Sequence, residues 1–375
     1  MRIEALQLFA QIPGAGGGHL RDADPSDFGA RVATGLTESL GDDRLLHGHW
    51  VQDLFRAVVI SLDSIAMIKD EDTGELYCEP DRPLRLPDYR VVTKDGEHLL
   101  IEVKNVGPKA TFKPQKIRTE IFAELQAYAQ VTGARLVFAH YWSMLSKWTL
   151  VDASRFVRRG RHLEITVEEA VCGSEFALLG ERLILTQPAA CMRIVAVVPG
   201  EEPTVDPDFV DWPYFTPGAV EFLIDGEQVT DSQEYELIKA MMLYGGAILG
   251  PSDLVVDEEQ RPIEMVLRMA EPGGHPTGSS LAQIYTNRYI RATKDVVGGS
   301  VLRMRGEPDP TLTRLLTAAA DSNRPGSRLK VMIGIQRPAK LPSSPDERHS
   351  DAGGGTSDTG TQPDSGDGQG IRPQV

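Results

Sequence analysis

The stretch LPDYRVVTKDGEHLLIEVKN, residues 86–105, sets two apolar runs on either side of Lys94-Asp95-Gly96, the pattern of a β-hairpin closed by a tight turn. Residues two apart on a strand share a face. Leu99, Ile101 and Val103 therefore form one wholly aliphatic face that must be core, while Leu100, Glu102 and Lys104 share the other. The position of Asp88 depends on the turn. A three-residue loop, a type I turn followed by Gly96 in the left-handed conformation, pairs Thr93 with Glu97 and hence Asp88 with Glu102. A two-residue Asp-Gly loop pairs Asp88 with Val103 and turns it to the opposite face. The first register is favoured because two carboxylates and an amine then converge, but the sequence allows both.

Like charges facing each other across a ladder are destabilising without a counterion. A hard divalent cation held by carboxylate oxygens removes the repulsion, polarises a phosphoryl oxygen and lowers the pKa of a bound water. A neighbouring lysine can orient that water or stabilise developing negative charge. Asp88, Glu102 and Lys104 are thus a working set for phosphodiester hydrolysis. The bland alternative is a solvated hairpin whose Glu102 and Lys104 decorate a surface.

Outward from the hairpin, Val51, Leu54, Phe55, Val58 and Leu62 recur at helical spacing, so residues 45–62 read as an amphipathic helix. The stretch between it and the hairpin, KDEDTGELYCEPDRP, is rich in turn formers. After the hairpin, Lys109–Arg118 is a basic connection, TEIFAELQAYAQVT (119–132) a helix stopped by Gly133, and Leu136–Trp142 and Lys147–Val151 are strands. This order suggests a mixed sheet flanked by helices. Residues 1–43 read as a loosely ordered lead-in; their GAGGG run (14–18) lacks the Lys-Ser/Thr of a phosphate loop. The core is expected over 44–198, a Pro/Asp-rich linker over 199–217, and a second, smaller α/β region of unassigned role over 218–337. From 338 to 375 the chain is Ser, Gly, Asp, Pro and Thr, too poor in apolar residues to offset its ordering entropy, and is expected to be disordered.

With 375 residues, 41% hydrophobic and 25% charged, the composition is that of an ordinary globular protein. No apolar run approaches a membrane span and the N-terminus does not resemble a signal peptide, so a cytoplasmic location is expected. Cys78, Cys172 and Cys191 are scattered and odd in number, which argues against disulfides and zinc. The net charge of −15 disfavours a polyanionic partner, yet residues 85–161 carry 14 Lys and Arg against 7 Asp and Glu, a local +7.

Pro87-Asp88, thirteen residues, then Glu102-Val103-Lys104 resembles the signature of the PD-(D/E)XK nucleases, the restriction-endonuclease-like superfamily. The resemblance covers roughly residues 45–150. It implies that the hairpin lies in a central mixed sheet flanked by helices. It also implies that Asp88 and Glu102 bind Mg²⁺, with Mn²⁺ as a substitute, that the Val103 carbonyl completes the shell, and that Lys104 assists the attacking water. Some branches add a glutamate from the preceding helix, where this chain has Gln52 and Asp53. Others add Gln or Tyr from the following helix, where Glu124, Gln126 and Tyr128 stand, so Gln126 and Tyr128 are further candidates for positioning water or phosphate.

Two basic segments fit a nucleic-acid partner: Lys109, Lys113, Lys116 and Arg118, and a second cluster of Arg155, Arg158, Arg159 and Arg161. Solvated charged loops are the alternative. Tyr141, Trp142 and Trp148 could stack on bases, though core is the commoner role for strand aromatics, and His140 reads as a structural histidine. The expectation is a Mg²⁺-dependent nuclease with DNA, by family analogy, as its polymer. The alternatives are a catalytically silent interaction protein on the same fold, with a protein partner for the C-terminal region, and a structural α/β protein without a nucleic-acid role.

Overall fold

The computed structural model describes residues 24–71, 76–78, 83–198, 215–246, 251–269, 277–295, 300–303, 306–321 and 327–339, with the single positions 200, 202 and 205. The GAGGG run, most of the expected linker and the tail beyond 339 lie outside these residues.

Two helices open the described chain, α1 (Pro25–Leu40) and α2 (Asp43–Ser61). Each begins on an aspartate: Asp24 accepts from Ser26 N at 2.8 Å, and Asp42 from Arg44 N at 2.9 Å and Leu45 N at 3.1 Å. Such caps satisfy amides that the first turn leaves without a helical partner. The lead-in expected over 1–43 therefore contains a helix, and its turn-forming Asp24-Pro25 is the start signal rather than a loop.

The central sheet has the order β1 (Ile65–Asp70), β2 (Tyr89–Thr93), β3 (His98–Val106), β5 (Arg135–Trp142) and β6 (Lys147–Asp152). All neighbours are antiparallel except β3 and β5, which run parallel. That crossover contains β4 (Gln115–Arg118) and α3 (Thr119–Thr132). The helix stops where expected, at Gly133 with φ +64°, and Ala134 N–H closes the end on Ala129 O at 3.1 Å.

Both faces of this sheet are covered. Leu99, Ile101 and Val103 pack with Trp50, Leu54, Phe55 and Val58 of α2, while Leu100 and Val106 pack with Phe122, Leu125 and Tyr128 of α3. This is the mixed sheet flanked by helices that the sequence order suggests and the family resemblance implies. Its consequence is that Glu102 lies in the stretch Leu99–Val103, which is buried on both faces of the strand.

A small antiparallel sheet joins β4 to β8 (His162–Ile165) and β8 to β7 (Val157–Arg159), ahead of the short α4 (Val167–Cys172). The later chain adds β9 (Leu183–Gln187), β10 (Ala190–Ala196), β11 (Pro217–Ile224), β12 (Glu227–Gln228), α5 (Ser232–Tyr244), β13 (Pro251–Val256), β14 (Pro262–Arg268), β15 (Thr277–Ser280), α6 (Leu281–Thr293), α7 (Thr311–Asp321) and β16 (Lys330–Gly334). Strands β10–β14 form a five-stranded antiparallel sheet in the order β12-β11-β10-β14-β13, and β9 pairs with both β15 and β16.

The boundary expected at 199–217 is therefore not a boundary of the fold. β10 lies before it and is sandwiched between β11 and β14 from beyond it. One buried cluster contains Trp50, Phe55, Met192 and Ile194 together with Phe222, Ile238, Met241, Leu281 and Tyr289. No helix among the described residues is long and apolar enough to cross a membrane.

Candidate active site

The β2–β3 turn decides between the two registers. Gly96 has φ +87°, its N–H donates to Thr93 O at 3.0 Å, and Thr93 N–H donates to Glu97 O at 3.0 Å. This is the three-residue loop with Gly in the left-handed position. The ladder continues through Val92/His98, Val91/Leu99, Arg90/Leu100 and Tyr89/Ile101, so Asp88 stands opposite Glu102, one step past the last paired residue.

Glu102 is buried, 6% exposed, and Lys104 Nζ donates to its Oε1 at 2.5 Å. Lys104 itself is only part-buried and reaches solvent. A solvated, decorative hairpin does not place its glutamate at 6% exposure. Asp88 is held from two sides: Gln52 Nε2 of α2 donates to Oδ1 at 2.6 Å, and Val103 N–H to Oδ2 at 2.6 Å.

The Val103 contact has a cause in the sequence. In this register Val103 faces position 87, and Pro87 has no N–H to give. The backbone N–H and C=O of a strand residue point to the same side. The Val103 N–H is taken by Asp88, and its carbonyl faces the same side, past the ladder's last pair, where proline supplies no donor. Among the described residues no group of three or more His, Cys, Asp or Glu is placed to hold a metal. The donor set present is instead two carboxylates and one main-chain carbonyl, all oxygen, which suits a hard cation that keeps several waters. The residues fit the implied ion.

Sequence reasoning missed Glu71. It lies in the stretch read as turns, yet β1 pairs Asp70 with Tyr89, and Glu71 N–H donates to Asp88 O at 3.0 Å. Glu71, Asp88 and Glu102 thus occupy one row across three strands. The Glu71 side chain is tied up: Arg90 Nε donates to Oε1 at 2.7 Å and Tyr128 OH to Oε2. Burial pushes its pKa up, but the Tyr128 and Arg90 hydrogen bonds outweigh that and hold it below the usual carboxylate range. Asp88 is thereby flanked by a neutralised carboxylate on one side and by Glu102 on the other.

The two candidates on α3 part ways. Tyr128 is buried with its hydroxyl on Glu71, adjoining the site through Asp88 rather than opening into it. Gln126 is exposed and lines a cleft with Gly133, Arg135 and Asp152. Arg135 pairs with Leu99 at the start of β3, whereas Glu102 is at the middle of that strand and Lys104 past its middle, and neither lines the Gln126 cleft. Helical geometry explains the difference: residues two apart lie on different faces. His140 pairs with Lys104, is 1% exposed, stacks near Trp142 (centroids 5.6 Å apart), and leaves Nδ1 without a partner. Burial, reinforced by the Lys104 charge, pushes its pKa down to about 3, so it is neutral. Tyr141, Trp142 and Trp148 are all core.

The small sheet unites basic segments forty residues apart in sequence. Lys116 pairs with Glu164, and Arg118 with His162, which in turn faces Arg159. Glu164 neutralises Lys116 at 2.8 Å and reaches Arg159 at 3.9 Å, and Lys116 holds its carboxyl below the ordinary range. Lys109, Lys113, Arg118 and Arg158 are exposed and have no ion-pair partner among the described residues. Lys109 and Lys113 follow β3 directly, so uncompensated positive charge adjoins the strand that carries Glu102 and Lys104.

No family model and no curated protein matches the chain. Among solved structures it is similar to Hjc, a Holliday junction resolvase from the archaeal hyperthermophile Archaeoglobus fulgidus, with 18% identity over 34% of this chain and 97% of that one and a TM-score of 0.26. A likeness at that level carries no argument about activity.

Proposed function

We propose that the chain is a metal-dependent nuclease whose site is Asp88, Glu102, the Val103 carbonyl and Lys104. The observation that carries this reading is the buried Glu102, opposite Asp88 and bonded to Lys104, beside a carbonyl that Pro87 leaves without a strand partner. Asp88 and Glu102 stand at facing positions of neighbouring strands, and like charges so placed are destabilising without a counterion.

In this reading Asp88, Glu102 and the Val103 carbonyl hold Mg²⁺ or Mn²⁺. The ion, when bound, polarises the phosphodiester and lowers the pKa of water. Gln52 and the Val103 amide fix the rotamer of Asp88. Lys104 Nζ, within 2.5 Å of Glu102, holds the attacking water or meets the charge that develops on the phosphoryl oxygens. Neutral His140 beside Lys104 adds no competing positive charge. The unpaired lysines and arginines draw in the polyanion despite the chain's net −15. DNA is the proposed polymer.

The test is cleavage of single- and double-stranded DNA and RNA with Mg²⁺, Mn²⁺ or EDTA, comparing the wild type with Glu102→Gln and Lys104→Ala. Metal-dependent cutting lost in both variants supports the reading. Cutting that persists in Glu102→Gln sinks it.

A second reading has one observation in its favour: both oxygens of Asp88 already accept protein hydrogen bonds. In that reading the fold is a catalytically silent platform, with nucleic-acid binding that is salt-sensitive, metal-independent and unchanged in Asp88→Ala.

A further inference from the structure

The loop after β3 carries an aromatic side chain with no role in the fold. Phe112 is 70% exposed, the next residue after Thr111, which is fully buried. The loop is not slack. Ala110 N–H donates to Gly107 O at 2.9 Å, Lys113 N–H to Ala110 O at 3.0 Å, and Gln115 Nε2 to Ala110 O at 3.0 Å and to Lys113 O at 2.8 Å. Phe112 therefore sits on a preorganised turn, and little further ordering is needed before it can make contact. The neighbouring β5–β6 turn is tied to the same end of the sheet by Ser143 Oγ on Val106 O at 2.9 Å, and it displays Met144 at 56% exposure.

Isolated exposed apolar residues are common and need no explanation. Here the surroundings select an occupant. Lys109 and Lys113 flank Phe112 and have no acidic partner among the described residues. A protein partner with an apolar patch would have to bury or pay for those free charges. An unpaired nucleotide meets both needs, its base on the ring and its phosphates on the lysines.

We propose that Phe112 is a stacking platform for an unpaired base, so that the substrate is nucleic acid with a single-stranded segment beside the scissile phosphate. The inference rests on the nuclease reading for the word substrate, but its test does not use cleavage.

The experiment measures affinity in EDTA, by fluorescence anisotropy over a range of salt, for an intact duplex, a duplex with an internal unpaired segment, and a single strand. The wild type should prefer the two substrates with unpaired bases. Phe112→Ala should weaken binding to those two by roughly 5- to 100-fold, leaving the intact duplex and the slope of affinity against salt unchanged. Phe112→Trp should retain affinity, and its indole fluorescence should be quenched on binding. Lys113→Ala should instead lower the salt slope by about one and weaken all three substrates alike. Equal losses on duplex and unpaired substrates in Phe112→Ala, no loss at all, or no nucleic-acid binding by wild type overturns the proposal. Unchanged binding in Phe112→Ala together with metal-dependent cutting that is lost in Glu102→Gln would leave the nuclease reading standing while this inference falls, whereas selective loss of binding in Phe112→Ala with cutting that persists in Glu102→Gln would sink the nuclease reading alone.

Discussion

Two sheets of this molecule each carry a set of two carboxylates and one cation, with different outcomes. On β10–β14, Arg193 lies between Glu221 and Glu264 and bonds both, at 3.2 Å and 2.8 Å. All three side chains are part-exposed, and the arginine hydrogen bond holds Glu264 below its usual range. On β2–β3 the same inventory is buried at Glu102, Lys104 reaches that glutamate, and Asp88 is held by an amide and a backbone N–H. The first cluster is closed on itself. In the second, Lys104 bonds Glu102 while Asp88 accepts from Gln52 and from the Val103 N–H. The arginine fork spans both acids of the first set, whereas in the second the lysine reaches the buried Glu102.

The comparison breaks most sharply under substitution of the acids. Glu102→Gln should cut metal-dependent cleavage by at least roughly 10²–10³-fold while leaving the melting temperature little changed, because the amide still fills the site and its oxygen still accepts from Lys104. A matched fall in activity and melting temperature would make Glu102 structural instead. Lys104→Ala should lower cleavage by about 10²-fold without loss of metal binding, measured by calorimetry.

The buried sheet should also respond to acid through His140, for which the open sheet has no counterpart. Its folded pKa, about 3, lies below the unfolded value, so its stabilising neutral form is fully present above about pH 6.5 and is lost as pH falls toward 3. Between pH 7 and pH 5 the wild type should lose about 2 kcal/mol more stability than His140→Gln in denaturant titrations. Equal losses would mean that the imidazole is solvated.

Gln52→Ala frees one oxygen of Asp88, and it should reduce cleavage by about 10-fold at a stability cost of about 1 kcal/mol. Arg193→Ala closes the series: about 1 kcal/mol or less, erased by high salt, with cleavage untouched. A large effect on cleavage there would join two clusters that the sheet topology keeps apart.

How far the sequence could be read depends on how local each feature is. The hairpin, its turn and the row containing Asp88 and Glu102 lie within residues 88–106, so side-chain alternation and a Gly-containing loop are enough to limit them to two registers. The helix stop at Gly133 was visible for the same reason. Glu71 was not, because its partners Arg90 and Tyr128 lie 19 and 57 residues away and only the pairing of β1 brings them together. Gln126 and Tyr128, two residues apart, lie on different faces of their helix, Gln126 exposed and Tyr128 buried on Glu71. The helix at 25–40 was hidden by reading Asp and Pro as loop formers, when the same residues start helices.

Trp50 shows what the shared core means for the modularity of the protein. Two residues before Gln52, its indole donates to Thr293 Oγ1 at 3.0 Å, and Lys294 stands 3.8 Å over the ring. The helix that orients Asp88 is therefore anchored by residues more than two hundred positions downstream. A fragment ending at Ala196 would expose Met192, Ile194 and one side of α2, and should be recovered insoluble, whereas co-expression with the remainder should restore a folded pair. The candidate nuclease core is thus no cassette: it could not be grafted onto another chain, or inherited without the region that follows it, and still hold its site in shape.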